Sequence, residues 1–136
     1  MHRGYIKTAA LLGALSVAMG AFAAHSLKEM ISDYALGIFE TGVRYQFYHV
    51  IALLVVGILY KEYPGKLLKW AGALFIVGII LFSGSLYMLT AVKAMVQPGY
   101  NWIGAITPFG GVCFIAGWIC LFIAVAKRPK APHISG

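Results

Sequence analysis

Charged residues make up only 11% of this 136-residue chain, with four carboxylates set against eleven Lys and Arg. A soluble domain carries about a quarter, so an ordinary water-facing surface is excluded. Cysteine is nearly as scarce: Cys113 and Cys120 are the two, seven residues apart within one apolar run. On a helix that separation is about 10 Å, beyond disulfide reach, and packing is the expected role of both. No Cys or carboxylate stands at ligand spacing from His25 or His49, so a metal signature is missing and no cofactor is expected. The net charge of +7 does not point to nucleic acid, because the cations lie between and beyond the apolar runs instead of lining one helix face.

What is abundant is hydrophobic sequence, at 61% of the residues. Four apolar runs are separable: Tyr5 to Ala24, Val43 to Tyr60, Leu67 to Ala91, and Thr107 to Ala126. Each has about 18 to 25 residues, enough to cross about 30 Å of hydrocarbon as a helix. The expected fold is therefore an all-α integral membrane protein, a four-transmembrane-helix bundle over residues 1–128, with a disordered tail at 129–136. Arg3, Lys7, the apolar stretch from Thr8 to Met19 and the small run Ala21-Phe22-Ala23-Ala24 imitate a cleavable signal peptide; the segment is read here as a retained first span. The N-terminus, the second loop (Lys61, Lys66, Lys69) and the tail hold eight cations, and the other two loops hold three, Lys28, Arg44 and Lys93. That asymmetry predicts cytoplasmic N- and C-termini.

The loops carry further signals. Ser26-Leu27-Lys28-Glu29 has the spacing of a capping box, and Leu27, Ile31, Tyr34 and Ile38 recur at helical spacing. A short interfacial amphipathic helix is expected there, before the second span. Gln97-Pro98-Gly99-Tyr100 fits a type II turn, Trp102 follows at interfacial depth, and Thr107-Pro108 supplies a hydroxyl cap and a first-turn proline for the fourth helix. Ala9, Gly13, Ser16 and Gly20, and separately Gly110, Cys113, Gly117, Cys120 and Ala124, place small residues on single helix faces suited to close helix contact.

Depth organises the polar residues. Counted inward from the span ends, His49 and Ser85 lie about 9 Å into the membrane and Ser83 about 12 Å, all from one side. His25, Glu40, Arg44 and Thr107 gather at the same side, and the other half of the membrane holds almost nothing polar. Intramembrane ionisable groups are costly and mark sites by default. The candidate ligand-binding set is thus Arg44, His49, Tyr45, Glu40, Ser83, Ser85, Thr107 and His25. Each has a structural alternative: an i, i+4 ion pair for Glu40 and Arg44, and hydrogen bonds to their own or a neighbouring helix for His49 and the two serines.

Gly20-Ala21-Phe22-Ala23-Ala24-His25, Phe39-Glu40-Thr41-Gly42-Val43-Arg44-Tyr45-Gln46-Phe47-Tyr48-His49, Leu81-Phe82-Ser83-Gly84-Ser85-Leu86-Tyr87 and Ile106-Thr107-Pro108-Phe109-Gly110-Gly111 together resemble the bacterial YgdD/YwdK-like family, domain of unknown function 423. Animal transmembrane protein 256 looks related. The resemblance spans about Gly4 to Ala126 and departs at Ala23, where the family more usually has Gly. It implies a multi-pass protein of the bacterial plasma membrane and supplies no activity. Three function classes follow from the residues: a non-enzymatic module binding a lipid headgroup, small anion or partner helix at the polar layer; a small channel or transporter, as a homo-oligomer; and an intramembrane hydrolase using Ser83 or Ser85 with His49 and Glu40. Membrane lipids, a second copy or another membrane protein are the expected partners. The first class is preferred, because no polar stripe continues into the other half of the bundle.

Overall fold

A computed structural model describes residues 1–95 and 99–127. Helix α1 (Arg3–His25) starts where the His2 side chain accepts a hydrogen bond from the Tyr5 amide at 3.2 Å. One 3₁₀ turn, Leu27–Glu29, leads to α2 (Asp33–Leu59). The Ser32 hydroxyl caps α2 by accepting from the Ala35 amide at 3.3 Å, and Asp33 in the first turn suits the positive end of the helix dipole. A short turn then gives α3 (Lys66–Gly78), a π-helical turn (Ile79–Ser83) and α4 (Gly84–Ala94), which together form the third span. A second 3₁₀ turn, Asn101–Ala105, precedes α5 (Thr107–Ala126). Among the described residues, four segments are long and apolar enough to cross a membrane: Arg3–Glu29, Asp33–Leu59, Lys66–Ala94 and Asn101–Ala126.

Three boundaries differ from the sequence expectation. The segment between the first two spans is helical for a single turn, and Tyr34 and Ile38 belong to the opening turns of α2. Ser26 makes no side-chain cap; Ser32 does that work six residues later. The second span also begins ten residues before Val43, because the polar residues there do not interrupt the helix: Glu40 and Arg44 point outward, and Thr41 donates to the Gly37 carbonyl at 2.8 Å. Gly99 has φ 96°, the left-handed backbone that glycine favours; Gln97 and Pro98 of the expected turn, and the tail 129–136, lie outside the described residues.

Helix α1 packs along α2, α3 packs along α5, and the π turn and α4 lie against α2. Both small-residue faces are used inside the protomer: Gly13 and Gly20 meet Val50 and Val43 of α2, while Gly117 receives the Phe75 ring. Lipid gives helices no hydrophobic reason to associate, so such close packing and interhelical hydrogen bonds hold the bundle. The larger core centres on Leu53, Val56, Leu68, Ala71 and Phe75, each fully buried. A smaller one, Ala23, Leu27 and Phe39, closes the end that carries the first and third loops. At the opposite end, here the basal face, the His2 amide donates to the Gly57 carbonyl at 2.7 Å and the Tyr5 hydroxyl to the Lys69 carbonyl at 2.7 Å.

Candidate functional site

The π turn is where the polar layer is built. A π turn bonds i to i−5 and holds one residue more than an α turn; here the Gly84 amide donates to the Ile79 carbonyl. Ser83, fully buried on this turn, donates to the Gly42 carbonyl of α2 at 2.6 Å instead of bonding its own helix. Gly42 has no room for a side chain, since a Cβ there would come within 2.8 Å of the Tyr87 ring. From the other side α5 presses in so closely that a Cβ on Gly110 would overlap the Phe82 amide and lie 2.8 Å from its Cα. Ser85 completes the joint by donating to the Phe82 carbonyl at 2.9 Å and pairing with the Thr107 hydroxyl at 2.7 Å. Three separate sequence motifs therefore meet within one helix crossing.

A second connection runs through Gln46, which is 2% exposed and was not among the residues singled out from the sequence. The Tyr87 hydroxyl donates to Gln46 Oε1 at 2.8 Å, and Gln46 Nε2 donates to the Leu12 carbonyl at 3.0 Å. The Ser16 hydroxyl donates to the same carbonyl at 2.8 Å. One amide side chain thus joins α4, α2 and α1. The signal for it lay in spacing: Phe39, Gly42, Gln46 and His49 fall three or four residues apart, on one face of α2.

His49 is a strut between α2 and α5. Its Nδ1 lies 2.7 Å from the Tyr45 carbonyl, which can only accept, so Nδ1 carries the proton. Nε2 is then the acceptor, and the Trp118 indole N–H donates to it at 3.2 Å. The ring also stacks on Phe114, with centroids 3.4 Å apart and planes 7° from parallel. Both nitrogens are occupied, and no hydrogen bond connects His49 to Ser83 or Ser85, so the arrangement is not that of a nucleophile and its base.

The remaining candidates are not drawn into the crossing. Glu40, Arg44, Tyr45 and His25 are exposed, and among the described residues no hydrogen bond or ion pair joins Glu40 to Arg44. Thr107 does not cap α5, because its hydroxyl is held by Ser85. The amides of Phe109 and Gly110 instead donate to the Ile106 carbonyl, so the start of α5 continues the preceding 3₁₀ turn and leaves little free N–H for an anion. Among the described residues every buried side-chain N or O atom has a partner, and no three His, Cys, Asp or Glu side chains converge as metal ligands would. Arg44 itself borders a groove of about 300 Å³ between α1 and α2, lined otherwise by Ser16, Val17, Val43, Phe47 and Tyr48.

Four apolar spans knitted by a polar layer whose hydrogen bonds close within the protein define a small multi-pass membrane protein. Comparison with known sequences places it further. The family model described as "Protein of unknown function (DUF423)" matches residues 19–111, a stretch that holds all four motifs, and the chain belongs to that family. It is 44% identical over 123 residues to a UPF0382 membrane protein of Staphylococcus aureus (strain bovine RF122 / ET3-1), covering 90% of this chain and 95% of that one. It is 41% identical over 124 residues to the UPF0382 membrane protein YwdK of Bacillus subtilis, covering 90% and 96%. A UPF0382 membrane protein of Staphylococcus haemolyticus is 39% identical over 123 residues, with 90% and 95% covered. No solved structure matches the chain.

Proposed function

We propose that this protein is a non-enzymatic membrane module that holds an anionic phospholipid in the groove between α1 and α2, with Arg44 as the ligand of the phosphate. One contrast carries the reading. The deep polar side chains, Gln46, His49, Ser83, Ser85 and Thr107, are taken up by protein partners, whereas Arg44 stands exposed at an apolar groove with no carboxylate joined to it. A guanidinium offers a phosphate two parallel N–H donors, and it stays hydrated at the interface when no ligand is bound. Val17, Val43 and Phe47 would lie along the first acyl carbons, and the exposed Tyr45 and Tyr48 would flank the headgroup.

Arg44→Gln should therefore weaken the binding of one anionic phospholipid by about tenfold, the effect of one charge-assisted contact, while leaving the melting temperature in phosphatidylcholine unchanged. Quantitative lipid mass spectrometry on wild type and variant checks this, and equal lipid content in both would remove the site.

The same reading puts both termini in the cytoplasm of a cell bounded by its plasma membrane. Its support is the basal face, which among the described residues gathers six of the nine cations and one of the four carboxylates, Glu62. In a background with Cys113 and Cys120 changed to Ala, an impermeant thiol reagent added to intact cells should label Lys28→Cys and spare Glu62→Cys. The reverse pattern would invert the topology.

A further inference from the structure

We infer that the basal face carries a second and separate anionic-phospholipid site, a groove between the first turns of α1 and α3. It has a volume of about 330 Å³ and is lined by Tyr5, Lys66, Lys69, Trp70 and Ala73. Its inner wall is fixed: the Tyr5 hydroxyl is held by the Lys69 carbonyl at 2.7 Å, and the Tyr5 ring occupies the space that a side chain at position 72 would need, which Gly72 leaves open. Lys66 and Lys69 are three residues apart on α3 and so project side by side from one helix face. One turn deeper the lining turns apolar at Ala73, and Trp70, 62% exposed, stands at the depth where indoles sit among headgroups.

Charge and shape select the occupant. Two ammonium groups over an apolar channel fit a phosphate that carries an acyl chain, and among the described residues this face sets six cations against one carboxylate. Basic pockets between membrane helices recognise such headgroups, with long-range attraction from the neighbouring cations. A soluble phosphate would engage the lysines and leave the channel below them unused. The phosphate sits between Lys66 and Lys69, the glycerol against Trp70, and the first acyl carbons along Tyr5 and Ala73.

The test uses the full chain in an Arg44→Gln background, so that any lipid held by the α1/α2 groove is out of the measurement. Native mass spectrometry after exchange into equimolar phosphatidylglycerol and phosphatidylcholine should show one phosphatidylglycerol preferred about tenfold. Lys66→Gln with Lys69→Gln should abolish that preference, Lys66→Arg with Lys69→Arg should keep it, and Ala73→Phe should weaken it by filling the channel with both cations intact. Glycerol 3-phosphate, which has no acyl chain, should not compete at equal concentration. Phosphatidylglycerol held equally by the parent and the double Gln protein, or displaced by glycerol 3-phosphate, would overturn the proposal, and neither result bears on Arg44.

Discussion

Gly110→Ala should disrupt the bundle, lowering the melting temperature in detergent by about 10 °C or removing the monodisperse species altogether. Most of the tight glycines in this chain meet side-chain atoms first: Gly57 meets Ile6 and Gly117 meets Phe75. Gly110 instead meets the Phe82 amide and Cα, backbone atoms of the π turn. The methyl group can be accepted only if α5 moves away from the third span, and that motion would also part Ser85 from Thr107. Overpacking of this kind costs about 3 kcal/mol or more where the backbone cannot yield, which corresponds to about 10 °C for a domain of this size. Gly37→Ala is the control. Nothing lies within 4 Å of a Cβ there, and alanine favours an α-helix over glycine by up to about 1 kcal/mol, so this variant should melt at the wild-type temperature or above it. Similar melting of the two variants would show that the contact of α5 with the π turn is not close.

Gln46→Leu is the second large effect. The side chain is nearly isosteric, so the core stays filled, but the Tyr87 hydroxyl loses its acceptor and the Leu12 carbonyl one of its two side-chain donors. An orphaned buried polar group costs about 1 to 3 kcal/mol, and interhelical bonds in lipid fall toward the lower end of that range. Tyr87→Phe removes the hydroxyl that Gln46→Leu strands. The double variant should therefore melt higher than the sum of the two single losses predicts, with a coupling of about 1 kcal/mol. Additivity would mean that the two side chains do not bond in the membrane.

The four spans and the gathering of polar residues at one end were legible in the sequence, because apolar run length and residue depth depend only on the rise of a helix. Partner identity was not. Ser83 bonds a backbone carbonyl of another helix, and side-chain type gives no indication of which carbonyl will be in reach. The π turn was equally hidden, since Ile79 to Ser83 reads as ordinary apolar helix and the extra residue is fixed by the fit of Gly42 and Gly110 around it. Thr107-Pro108 looks like a cap and first turn; the hydroxyl is taken by Ser85 because the preceding 3₁₀ turn already supplies acceptors for the α5 amides. Glu40 and Arg44 have the right spacing for a pair, but at an exposed helix surface water competes for both.

The division between a structural polar layer and a lipid-binding Arg44 is tested most directly by measuring melting temperature and bound anionic phospholipid on the same preparations of wild type, Gln46→Leu and Arg44→Gln. If the layer serves the fold and the arginine serves the ligand, Gln46→Leu melts lower with its lipid intact, and Arg44→Gln holds one anionic phospholipid fewer than wild type at an unchanged melting temperature. Lipid lost from Gln46→Leu while Arg44→Gln retains it would contradict that division and return the ligand site to the buried layer.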